Sequence, residues 1–308
     1  MKLRKSAGWR LRLALLSLTV ACAPLMLGCG ERLPRGVAPE GRQVEIIRKG
    51  LSELSGGDVG DTAVADLAEP TGYVSLRGRF ELTGTVPTNP KLSITKDQEF
   101  CAPGGADVFA KEVVVDPDSR GIKYVVLFAD GLPDQWVHEE AQGATGEVEF
   151  DQKNCLFVSQ VTGLQSSQTL RVLNSDPIAH NTKMAPRNNP ESNENLPGGG
   201  STTYQPRAAE RDPFDVTCSI HPWMKAYVLI RGNAYFAITD EQGNFEIPNL
   251  PAGVPLEFRV WQERVGGVES ATVNGENVSW RRGRFTMTLD AEDEGKNVLD
   301  VKLDGGMF

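Results

Sequence analysis

Histidine is scarce in this chain: three in 308 residues, His138, His180 and His221. That scarcity excludes a protein built on several imidazole-rich metal centres. A glycine-rich phosphate loop, a nucleophile elbow and a paired-carboxylate motif are also missing, so the common phosphoryl-transfer and hydrolase chemistries find no support. Long helical periodicity is absent from the central region. Basic charge is in deficit, 32 Lys and Arg against 41 Asp and Glu for a net −9, which argues against nucleic acid as a partner.

The one basic concentration is at the start, with Lys2, Arg4, Lys5, Arg10 and Arg12. An apolar run from Leu13 to Leu27 follows, and then Gly28-Cys29-Gly30. This pattern reads as a secretory signal over residues 1–28 with lipidation at Cys29. The run is short for a membrane span, which takes about 20 residues. By resemblance to lipoprotein sorting in Gram-negative bacteria, Gly30 in place of Asp favours the outer membrane, with the protein exported and lipid-anchored in the envelope. Cleavage would remove five basic residues and no acidic ones, deepening the net charge from −9 to −14. Such a charge could steer a basic partner. Residues 29–71 are rich in Gly, Pro and charge and read as a flexible tether, with one short helix in 44–54.

From Gly72 the pattern turns to strands. The reading is all-β: one unit over 72–232 and a second, smaller sandwich over 233–308. Tyr73–Leu82 alternates, Ile122–Phe128 is a buried-strand candidate, and Glu147–Phe150 and Leu156–Val158 flank Cys155. Gln168–Leu173 and Phe214–Thr217 are strands that deliver His180 and Cys218. The segment 182–212 between them, with Asn188-Asn189-Pro190 and Gly198-Gly199-Gly200, is expected to be an irregular loop. In Thr239-Asp240-Glu241-Gln242-Gly243, Asp240 can cap a hairpin turn and Gly243 can supply the positive φ.

The chemistry concentrates in Cys218-Ser219-Ile220-His221-Pro222-Trp223-Met224. A Cys, a His three residues on and a Met three further fit one tight loop after a strand. His180, 38 residues upstream, comes from another strand end. One thiolate, two imidazoles and one thioether suit copper in both its oxidation states, the thioether being the weak axial ligand. Zinc could use the Cys-His-His set, but thioether is a poor fourth ligand for it. His138 reads as a solvated loop residue.

These residues resemble the cupredoxins, and the Cys-x2-His-x2-Met loop is most similar to that of amicyanin. Phe157, Val161, Gly163, Leu170–Leu173, Asn174, His180-Asn181 and the Cys218 loop follow the cupredoxin order. The resemblance implies a Greek-key sandwich with one type 1 copper held by His180, Cys218, His221 and Met224. It also implies that Asn181 hydrogen-bonds near the thiolate, and that the edge of His221 lies nearest the surface. A wider resemblance is to secreted bacterial methylamine-utilisation-type proteins, in which a carboxypeptidase-regulatory-like (prealbumin-like) sandwich follows. In such relatives Pro-His is expected where this chain has Ser159-Gln160, and His where it has Gln262.

With Cys22 in the signal and Cys29 lipidated, Cys101, Cys155 and Cys218 remain. Cys218 has metal-ligand neighbours, so the expected disulfide is Cys101–Cys155; pairing of Cys218 would abolish the metal site. The function expected is electron transfer by a blue copper protein that is not an enzyme, with a transient redox partner protein. The alternatives are a non-redox envelope binding protein with a vestigial site, and copper sequestration.

Overall fold

The computed structural model describes residues 68–308. The signal segment, Cys29 and the tether up to residue 67 lie outside the described residues. Among the described residues the fold is all-β, as expected, and helix is confined to Gln98–Cys101 and a few short 3-10 turns.

Two sheets make the sandwich that carries the candidate ligands. One runs Ser192–Leu196, His180–Met184, Phe214–Thr217, Lys225–Arg231 and Val161–Gln165 in spatial order; the other runs Ser201–Tyr204, Thr169–Asn174, Glu147–Lys153 and Leu156–Phe157. Each sheet contains one parallel pair, Lys225–Arg231 with Val161–Gln165 and Glu147–Lys153 with Thr169–Asn174. Alternating side chains from both, including Phe150, Leu164, Leu170, Val172, Val216 and Val228, fill the space between them. Cys218 and Met224 belong to this same buried cluster.

The segment 182–212 is more ordered than its sequence suggests. Ser192–Leu196 pairs with His180–Met184, and Ser201–Tyr204 pairs with Thr169–Asn174. The chain thus adds an edge strand to each sheet, and the glycines at 198–200 let it cross between them. A polar run such as Ser-Asn-Glu-Asn on an edge carries no apolar alternation to announce it.

A second sandwich is built from strands at both ends of the described chain. Gly72–Thr83 lies between Asn244–Ala252 (antiparallel) and Val298–Asp304 (parallel). Val126–Asp130 lies between Phe236–Ile238 and Pro255–Gln262. Leu76, Phe80, Ile122, Leu127, Ile247 and Phe258 are among its buried core. The sequence reading groups 72–83 and 126–130 with the ligand-bearing strands; their ladders run instead to strands beyond residue 235. Alternation marks a strand without naming its partner, and a parallel partner more than 200 residues away leaves no local trace. The run Ile122–Phe128 is also broken, because Tyr124 takes φ 65°. The hairpin at 239–244 forms as expected: Asp240 Oδ1 accepts from the N–H groups of Gln242 and Asn244, and Gly243 has φ 81°.

A third cluster, Val126, Phe128, Val161, Tyr227, Leu229 and Trp261, joins the two sandwiches. Phe236 packs against the backbone at Gly163, where a Cβ would lie 2.5 Å from the ring. Only glycine permits that approach.

Candidate metal centre

Phe214–Thr217 ends at Cys218, and the chain then curls back on itself. Met224 N–H donates to the His221 carbonyl at 2.9 Å, and Cys218 N–H reaches the Met224 carbonyl at 3.3 Å. This closes the seven-residue loop and keeps Cys218, His221 and Met224 at one pole of the sandwich. His180 enters from the neighbouring strand, whose register with Phe214–Thr217 pairs Met184 with Val216. His180, His221 and Met224 are 0% exposed and Cys218 is 1% exposed.

The ligand atoms of His180, Cys218 and His221 lie within 4.8 Å of one another, so the three form a group able to hold a metal ion. The two imidazoles face each other through Nδ1, 2.8 Å apart, and His221 Nδ1 is 4.0 Å from Cys218 Sγ. Each ring has its other nitrogen on a carboxylate. His180 Nε2 is 2.7 Å from Asp176 Oδ2, and His221 Nε2 is 2.8 Å from Asp97 Oδ2. A neutral imidazole that donates Nε2–H to a carboxylate presents a bare lone pair at Nδ1. Two bare nitrogens aimed at one another at 2.8 Å repel unless a cation or a proton lies between them. Burial pushes the His180 pKa down, despite the pull of Asp176, and so disfavours a second proton on that ring. A metal ion resolves the conflict, and the donor set fits one that accepts two nitrogens and a soft thiolate.

The sulfur is prepared as well. Asn181 N–H donates to Cys218 Sγ at 3.2 Å and His221 N–H does so at 3.4 Å. The two donors hold the sulfur in a fixed position between the strand end and the loop. The Asn181 side chain clamps the loop from the other strand: its Oδ1 accepts from Ser219 N–H at 3.1 Å, and its Nδ2 donates to Asn193 Oδ1 at 2.8 Å. The expected contact of Asn181 near the sulfur is therefore made by its backbone, and its side chain fixes the loop.

The disulfide is Cys101–Cys155, as expected, and Cys218 is the free, buried cysteine. Cys155 also falls within reach of Asp176 and His180, but its sulfur is committed to the disulfide and is no thiolate ligand. His138 lies outside the group; its Nδ1 accepts from Glu140 N–H and its ring meets Tyr73 edge-on. Gln160 and Gln262 also serve elsewhere, donating to Glu263 and to the Glu112 carbonyl.

One expectation needs revision. His221 does not present an edge to solvent: it is fully buried, with Asp97 over Nε2 and Trp223 against its face at 5.0 Å between centroids. The two carboxylates went unrecognised in the sequence. Asp176 stands four residues before His180, just beyond the strand Thr169–Asn174, in a stretch whose composition marks a turn and nothing more. It is 2% exposed and also accepts from the N–H groups of Asn154 and Cys155. Asp97 is 124 residues from its histidine, and no sequence signal ties them.

No known protein-family profile matches the chain, and none of the curated proteins does. Part of the chain is similar to solved copper-protein structures. A copper-containing nitrite reductase from Thermus scotoductus SA-01 is 18% identical over 27% of this chain and 22% of that one, with a TM-score of 0.25. Amicyanin from Paracoccus versutus is 13% identical over 34% of this chain and 97% of its own, with a TM-score of 0.24. A purple cupredoxin from Nitrosopumilus maritimus is 17% identical over 28% and 98%, with a TM-score of 0.23. The match thus spans under a quarter of the nitrite reductase chain.

Proposed function

We propose that the protein is a copper-binding electron carrier of cupredoxin type, with His180, Cys218 and His221 as the strong ligands and Met224 as the weak axial one. The observation that carries this reading is the facing pair of Nδ1 atoms beside a hydrogen-bonded cysteine sulfur, all buried. Copper in such a set supplies one-electron redox chemistry with little change of geometry. The protein supplies the rest. Asp176 and Asp97 orient the imidazoles, two N–H groups steady the sulfur, and the sandwich excludes water. Met224 is buried in the core, and its backbone closes the loop that carries Cys218 and His221, which supports its candidacy as the weak ligand.

The route of the electron differs from that expected for an exposed histidine. Pro222 is exposed and Trp223 half-buried, and together they line a cleft of about 150 Å³ with Gln160, Lys225 and Glu263. The indole touches His221 on one side and donates to the Cys155 carbonyl at 3.0 Å on the other. In this reading a redox partner docks over Pro222 and Trp223, and the electron passes through the indole.

Export, a lipid anchor at Cys29, a transient protein partner and a non-enzymatic role belong to the same proposal. The Cys101–Cys155 disulfide supports an oxidising compartment. The second sandwich is read as a carboxypeptidase-regulatory-like structural or adhesive module. A second reading, retention of copper without electron traffic, is favoured by one observation, the complete burial of His221. Electron exchange with a small soluble redox dye separates the two. Rapid exchange, slowed in Trp223→Leu, supports the carrier; copper that binds tightly and does not exchange electrons supports retention.

A further inference from the structure

The outer nitrogen of His221 is covered by a residue from a distant part of the chain. Asp97 Oδ2 lies 2.8 Å from His221 Nε2. Asp97 takes φ 48°, ψ 39°, the left-handed region that a non-glycine residue enters at a cost. Its carbonyl accepts from the N–H groups of Phe100 and Cys101, opening the short helix Gln98–Cys101. Cys101 is then locked to Cys155. Cys155 in turn gives its N–H to Asp176, the carboxylate behind His180. One disulfide therefore links the two segments that back the two imidazoles, and a strained turn delivers Asp97 to its ring.

We infer that Asp97 is a positioning residue for the metal group: carried on a disulfide-locked strap, its carboxylate holds His221 with Nδ1 toward the site and biases that site toward a divalent ion over a monovalent one. The inference rests on the metal reading above. A carboxylate that accepts Nε2–H strengthens the donor power of the opposite nitrogen. Its negative charge also attracts a divalent ion twice as strongly as a monovalent one at the same distance. The Asp97 side chain is 40% exposed, so solvent weakens this attraction without removing it.

The test separates charge from shape. Asn tolerates the left-handed conformation, so Asp97→Asn keeps the backbone and an acceptor oxygen while removing the charge. Asp97→Gly removes the side chain and relieves the φ. The full chain and both variants are titrated with Co(II) and, without oxygen, with Cu(I), each against a competing chelator. Melting of the metal-free proteins confirms that each is folded. The expected result is Co(II) affinity lower by roughly tenfold or more in both variants, within the range typical of such outer partners. Cu(I) affinity should fall by about half as much on a logarithmic scale, because the lost attraction acts half as strongly on a single charge. Equal losses for both ions, or affinities within about twofold of the unmodified chain for both, overturn the inference while the metal reading stands. An unmodified chain that binds neither ion removes both.

Discussion

His180 Nδ1 and His221 Nδ1 face each other at 2.8 Å, with a carboxylate behind each ring. This relationship orders the whole site. It assigns Nε2–H to the outside of both imidazoles and leaves the inner nitrogens free to share one ion. His180→Ala removes one of them and leaves a cavity beside Cys218. It is expected to lower metal affinity by orders of magnitude while the metal-free protein still folds, as checked by chelator competition and circular dichroism.

Asn181 ties the two ligand-bearing strands together. Asn181→Ala leaves the Ser219 N–H without its partner and frees the Asn193 contact, at an expected cost of about 1–3 kcal/mol for the polar group left unpaired. Urea denaturation of the metal-free chain measures it. The backbone N–H to Cys218 Sγ survives the substitution, so any copper-thiolate absorption should persist, though broadened by a looser loop.

The candidate group His180, Cys218 and His221 was largely legible in the sequence. Cys218, His221 and Met224 sit in one short loop, where spacing and geometry are nearly the same thing. The strand ahead of them, Phe214–Thr217, was read with the bounds the structure gives. His180 could be placed through its order relative to that loop and the strand before it. The disulfide followed from counting cysteines. What was hidden is long-range. Asp97 reaches His221 only because a disulfide and a turn bring it there. Gly72–Thr83 alternates plainly, yet its partners lie at 244–252 and 298–304. The buried edge of His221 was hidden for the same reason, since the residue that covers it belongs to the far segment.

Burial pushes the Glu263 carboxyl up to about 7 from its ordinary 4.5, and the Gln160 amide and Lys225 offset only part of this. Between those two values the folded chain holds a proton that the unfolded chain has released. Glu263 therefore destabilises the fold progressively as pH rises from about 4.5 to about 7. Glu263→Gln keeps an amide-amide contact and removes the charge. Relative to the unmodified chain it should gain about 1 kcal/mol between pH 5 and pH 8, a figure discounted for partial exposure. Urea midpoints at the two pH values check the sign, and an equal offset at both would contradict it.

At Gly163 the two sandwiches touch closely. In Gly163→Ala the new methyl would meet the Phe236 ring at 2.5 Å and, through the ring, disturb the strand Phe236–Ile238. The expected loss is about 1–3 kcal/mol from overpacking. Thermal melting should show a lower midpoint, and the metal group, which shares none of these contacts, should keep its affinity.

The most direct measurement is the visible spectrum and metal content of the copper-loaded chain beside Cys218→Ser. One copper per chain is expected, with an intense thiolate-to-copper absorption in the unmodified protein and none in the variant. A copper-loaded protein without that absorption, or a variant that retains it, contradicts the assignment of Cys218 as the thiolate ligand and with it the account of the site.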